Sequence, residues 1–140
     1  MPTVSIVNSF TDEIGEEKHL LSTDVIKVAL SNVAPSVTNS IFTDITEIAA
    51  GNGYTAGGSA LVGVTYTQAG GVATLAFSTD LVFTASGGAI ADFRYPVFYN
   101  DTAPADELIG FFDHGATVSL ASGQSYTITA GTIFTLAQTN

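Results

Sequence analysis

After Tyr54 the chain never holds one apolar pattern for long before a glycine-containing turn cuts it, and within each piece the pattern alternates. A helix needs apolar residues at every third or fourth position, whereas alternation places them on one face of a strand. Short alternating segments with turns at near-regular spacing describe a sandwich or barrel. The expected fold is therefore all-β: an antiparallel β-sandwich, or jelly-roll-like, of about eight strands, with one or two short helices near the N-terminus.

The segments are read as follows. In residues 25–30, Ile26, Val28 and Leu30 face one way and Lys27 the other. Residues 60–67 alternate through Val62, Val64 and Tyr66. Gln68-Ala69-Gly70-Gly71 is a hairpin loop, where glycine supplies positive φ. Residues 72–77 return as the partner strand and are apolar on both faces, as in a strand covered on both sides. In residues 80–85, Leu81, Phe83 and Ala85 share a face. The clearest strand is 89–99, with Ala89, Ala91, Phe93, Tyr95, Val97 and Tyr99 on one side and Asp92 and Arg94 on the other. Pro96 has no N–H for a ladder, so this strand is expected at an edge or bulged. Residues 108–112, 118–120, 125–129 and 133–136 complete the set.

Helix signals are confined to the first part of the chain. Residues 11–21 carry Asp12, Glu13, Glu16 and Glu17 early and Lys18 and His19 late, an order that complements a helix dipole. Asp44-Ile45-Thr46-Glu47 has capping-box spacing, and Gly51-Asn52 follows as a stop. The domain reading is an N-terminal arm or short helix over residues 1–23 and a β-sandwich domain over 24–140.

Composition narrows the function. Only 11% of residues are charged, against about 25% in ordinary soluble domains, while 46% are hydrophobic. Such a surface suits a protein largely covered by neighbours. The net charge is -10, with Lys18, Lys27 and Arg94 as the only fixed cations. Three cations do not supply the counterion release that drives nucleic-acid binding, and an anionic membrane repels the chain. The absence of cysteine excludes disulfides and thiolate metal sites. The start of the chain has no basic segment followed by an apolar run, so no secretory signal is read, and no stretch is long and apolar enough for a membrane span.

Catalytic patterns are thin. His19 and His114 are the only imidazoles, and no Gly-x-Ser-x-Gly elbow occurs. Asp113-His114-Gly115 reads as a turn whose Asp accepts backbone amides. Asp101, Asp106, Glu107 and Asp113 would hold calcium only if their loops met, and the calcium-loop spacing of an EF-hand is missing. A carbohydrate-binding cleft is unsupported, since the chain has no tryptophan. No catalytic residue, metal ligand or cofactor is expected. The candidate residues are contacts with other protein: Tyr54, Val72, Leu75, Phe77, Asp92, Arg94 and Tyr95. Arg94, the only arginine, is read beside Asp92 at the rim of such a contact. The excess of apolar over charged residues points to self-association, with a homotrimer expected.

Four segments in order, Lys27-Val28-Ala29-Leu30, Gly51-Asn52-Gly53-Tyr54-Thr55-Ala56-Gly57-Gly58, Tyr99-Asn100-Asp101-Thr102 and Leu108-Ile109-Gly110-Phe111-Phe112-Asp113, resemble a family of small tailed-bacteriophage virion proteins. Residues 124–129 and 133–136 are also similar, while the first 23 residues match less well. The resemblance implies a virion structural protein made in the host cytoplasm and bound to the major capsid protein or other virion proteins. It implies no catalytic residue. The leading expectation is a capsid decoration, or cement, protein on the capsid surface. A head–tail connector or tail component is the alternative, and a glycan- or receptor-binding module on the particle surface is a third.

Overall fold

A computed structural model describes residues 1–138, so the last two residues of the expected 24–140 domain lie outside the described residues. The all-β expectation holds, with more and shorter strands than the sequence pattern gives. In chain order the elements are β1 (Ser5–Ile6), α1 (Phe10–Glu13), β2 (Ile26–Ser31), a 3-10 turn (Phe42–Asp44), β3 (Ser59–Ala60), β4 (Thr65–Ala69) and β5 (Val72–Phe77). Then follow β6 (Leu81–Thr84), β7 (Ile90–Phe93), β8 (Tyr95–Asn100), β9 (Leu108–Phe111), β10 (Val118–Leu120), β11 (Ser125–Ile128) and β12 (Gly131–Ala137).

A five-stranded antiparallel sheet runs β1-β9-β8-β2-β3, and a three-stranded one runs β12-β5-β4. The pairs β10-β7 and β11-β6 form two small sheets between them in sequence. Phe93, Phe98, Phe112, Ile26, Leu30, Leu75 and Leu108 are fully buried and draw one core from all these parts.

The helical expectations shrink. Only one turn of α-helix forms, at Phe10–Glu13, with Phe10 buried. Asp12/Glu16 and Glu13/Glu17 are like charges four residues apart, which oppose a longer helix, and Glu17 leaves the helical region at φ 59. The expected second helix is a 3-10 turn. Asp44 accepts from the Ser40 and Ile41 amides at 2.9 and 3.1 Å. Glu47 turns instead to Tyr54 and Gly57, and Ile45 is already extended.

The long strand expected over 89–99 is broken at Arg94, whose amide donates to the Ser31 carbonyl. Ile90 and Phe93 are buried while Ala91 and Asp92 are exposed, so strict alternation fails in β7. β8 lies between β2 and β9 rather than at an edge. Pro96 is tolerated because its carbonyl faces β9, where it accepts from Phe112 just past that strand's end. Its missing N–H leaves this pair with one bond instead of two, and the next bond along, from the His114 amide to the Arg94 carbonyl, is kept.

The segment 51–58 runs from β6 to the β2 edge of the five-stranded sheet, where β3 follows. A side chain at Gly58 would overlap the Val28 carbonyl, and one at Gly53 the Thr84 carbonyl. Both sit at positive φ, so only glycine allows this close approach. Between them Tyr54 is inserted into the core.

Candidate interaction surface

The three-stranded sheet is built from the two longest stretches of chain that carry no charge. Residues 51–79 and 114–140 contain no Asp, Glu, Lys or Arg, and β4 and β5 come from the first and β12 from the second. The pairing is antiparallel throughout and aligns rows across the strands: Thr65–Ala76–Thr132, Thr67–Thr74–Thr135 and Ala69–Val72–Ala137. The intervening row Tyr66–Leu75–Phe134 points to the core. A one-residue irregularity between Thr132 and Phe134 lets both Ile133 and Phe134 turn inward. The outward face is therefore threonine, alanine and one valine.

Hydrogen bonds fix which backbone groups stay free at the two ends of this sheet. Gln138 N–H donates to the Gly71 carbonyl at 3.0 Å. By alternation, Leu136 and Phe134 then bond to β5, while Thr135 and Ala137 point N–H and C=O away from it. The same alternation turns Val72 and Thr74 toward β4, so Ala69 and Thr67 are bonded and Gln68 and Tyr66 face outward. Both outer strands present an open edge.

The expected contact residues divide. Tyr54, Leu75 and Phe77 are buried inside a single copy. Tyr54 accepts from the Leu30 amide at 3.0 Å and donates to Glu47 at 2.7 Å, and burial raises its pKa far above the ordinary range. Leu75 and Phe77 form the inner side of β5. Val72 is 38% exposed on the outer side, with Thr74 and Ala76 half-buried, so β5 is open on one face within one copy rather than covered on both.

Asp92, Arg94 and Tyr95 lie together at the surface, but Asp92 and Arg94 are not a pair. The break at Arg94 turns its guanidinium to Asp113, which it holds through Nε at 2.7 Å and Nη2 at 2.9 Å. Asp92 accepts from Ser119 instead. The Arg94 hydrogen bonds, with the Gly115 amide, hold the Asp113 carboxyl down at about 2. Arg94 also lies over the Tyr95 ring, 5.5 Å from its centre. The Asp113–Gly115 turn is the amide-accepting turn read from the sequence, with Gly115 N–H on Asp113 at 2.7 Å. His114 stacks edge-on against Tyr126.

A buried polar node centres on Asn100 and His19. Asn100 accepts from the Thr102 and Ala103 amides, which forces its amide nitrogen toward Asp24 Oδ2 at 2.6 Å and His19 Nδ1 at 3.1 Å. His19 Nδ1 is therefore the acceptor, and the proton sits on Nε2, 3.5 Å from Glu13 Oε2. Burial lowers the His19 pKa, against the opposing pull of Glu107 and Asp24. Burial likewise raises that of Glu13. The partners of Asn100 lie some eighty positions away, which local sequence does not reveal.

The acidic loop residues go to separate partners: Asp101 to Lys27 at 3.0 Å, Glu107 to the Ala105 amide, Asp113 to Arg94. Among the described residues no group of three or more His, Asp or Glu is placed to hold a metal ion. A cleft of about 150 Å³ lies beside His114 and Tyr126, well below the roughly 300–1,000 Å³ of small-molecule sites. No family model, curated protein or solved structure matches the chain.

Proposed function

We propose that this chain is a structural protein of a bacteriophage particle, a capsid decoration protein that acts through protein–protein contacts and catalyses no reaction. The observation that carries the reading is the uncharged three-stranded sheet, with its threonine- and alanine-lined outer face and two open edges. In a chain of net charge -10, a charge-free face is where another protein is met with least desolvation cost. The resemblance of residues 27–30, 51–58, 99–102 and 108–113 to small virion proteins supplies the setting. The His114 turn supports the non-catalytic part: His114 meets Tyr126, and Asp113 is committed to Arg94 and a backbone amide.

The test is the number of copies per purified particle, measured by quantitative densitometry against the major shell protein. A decoration protein is expected in hundreds of copies, following the symmetry of the shell; about a dozen indicates a ring at the head–tail junction. Absence from the particle overturns the reading.

A further inference from the structure

The three-stranded sheet ends in its two longest-exposed liabilities. Natural sheets blunt open edges with lysine, proline, inward charge or very short strands. In this protein β1 and β3 are two residues each, but β4 has five residues, β12 has seven, and neither carries a charge or a proline. We propose that β4 of one copy pairs edge to edge with β12 of the next, joining copies of this chain head to tail into a closed ring. The proposal rests on the reading of the chain as a self-associating structural protein and names the surfaces that would do it.

The shape beside β12 fits a strand. Residues 132–135 of β12, with residues 1–4 and Ile6, line an open groove of about 440 Å³. Thr135 supplies a free N–H and C=O there, as Gln68 and Tyr66 do on β4. An extended segment laid in the groove would complete these bonds.

Charge selects a second copy as the occupant. Two copies at -10 each repel wherever carboxylates face each other, and the β4-β5-β12 sheet is where this chain presents none. The edges on offer are also different ones, so the contact is heterologous; such contacts close into rings when the rotation permits. β4 and β12 each run antiparallel to β5 and hence parallel to each other. Rotation about an axis along the strands preserves that direction, so each junction is a parallel pair.

Two proline variants test the proposal on the isolated full chain. Gln68→Pro and Thr135→Pro each remove an outward N–H and no hydrogen bond of the sheet's own ladder. Circular dichroism and thermal unfolding establish that each is folded, and sedimentation velocity reads mass. The wild type is expected as one discrete oligomer, each variant alone as a monomer, and their equimolar mixture as a dimer, since one intact edge of each kind remains. A monomeric wild type, a variant that keeps the wild-type mass, or folded variants that stay monomeric on mixing overturns the proposal. Should proline unfold the sheet, exposed side chains carry the same test. Thr67→Glu with Thr135→Glu is expected to split the ring, and Thr67→Lys with Thr135→Glu to restore it; equal masses for the two overturn it. Failure here leaves particle copy number untouched, and absence from particles leaves edge pairing untouched, so the two readings fail separately.

Discussion

Replacing Tyr54 with Phe removes one oxygen and strands the Leu30 amide, while Glu47 loses one of its two donors and keeps the Gly57 amide. Unsatisfied buried groups cost about 1–3 kcal/mol, so Tyr54→Phe is expected to lower unfolding free energy by that much in a urea titration, with the core volume unchanged. His19 gives a pH signature with a definite sign. Its pKa is lowered by burial, so the unfolded chain binds the proton more tightly and stability falls as pH drops below the ordinary histidine value of about 6.5. Geometry reinforces the effect, since a proton on Nδ1 would face the Asn100 amide nitrogen, which the Thr102 and Ala103 amides hold in place. Glu13, raised by burial, acts in the opposite sense, losing stability as pH rises out of the ordinary carboxylate range. Melting temperature measured from pH 7 downward is expected to decline first below about 6.5, and His19→Gln to flatten that decline. Lys18 is the cation at this node, and Asp12, Asp24 and Glu107 are its other charged neighbours.

At the scale of elements, the hairpin of β4 and β5 shows what local sequence determines. Gly70 and Gly71 both take positive φ, and the two-residue turn they form sets the register of every row in the sheet. The strand at 89–99 shows where local sequence stops. Alternation alone reads Asp92 and Arg94 as neighbours on one face, but the chain breaks between β7 and β8 because the two strands belong to different sheets. Arg94 then finds Asp113, nineteen residues on. Pro96 argues for an edge or a bulge on the assumption that a central strand needs every ladder bond; β8 is central and keeps the Phe112 and His114 amides on the Pro96 and Arg94 carbonyls, forgoing only the bond from the missing N–H. Residues 1–23, matched least by the resemblance, read from sequence as an arm or short helix, and one helical turn forms at Phe10–Glu13. In the structure Val4, Val7, Phe10 and Leu21 enter the core, and Phe10 packs edge-on against Phe134 of β12 with ring centres 5.2 Å apart. Phe10→Ala is therefore expected to destabilise the whole domain by about 3–5 kcal/mol in chemical denaturation, where loss from a detached arm would leave the transition unmoved.

For the whole molecule the decisive quantity is how association responds to salt. Each copy carries -10, and the charges lie outside the sheet proposed to join them. Ring formation then brings like-charged bodies together through an uncharged seam. Added salt shortens the reach of that repulsion, from about 10 Å at 0.1 M to about 3 Å at 1 M. It leaves backbone hydrogen bonds and apolar contact largely intact. Association is expected to hold or tighten as salt rises over that range, and attachment to particles through the same kind of surface to survive it. Acidification toward the sequence pI of about 4.1 removes the repulsion by another route, but it also protonates His19, so salt is the cleaner variable. A ring held by pairs such as Arg94–Asp113 between copies would behave the other way, since exposed ion pairs weaken as they are screened. Sedimentation equilibrium across the salt series separates the two: a dissociation constant that falls or stays level supports the uncharged seam, and one that climbs steadily with salt means charge holds the copies together.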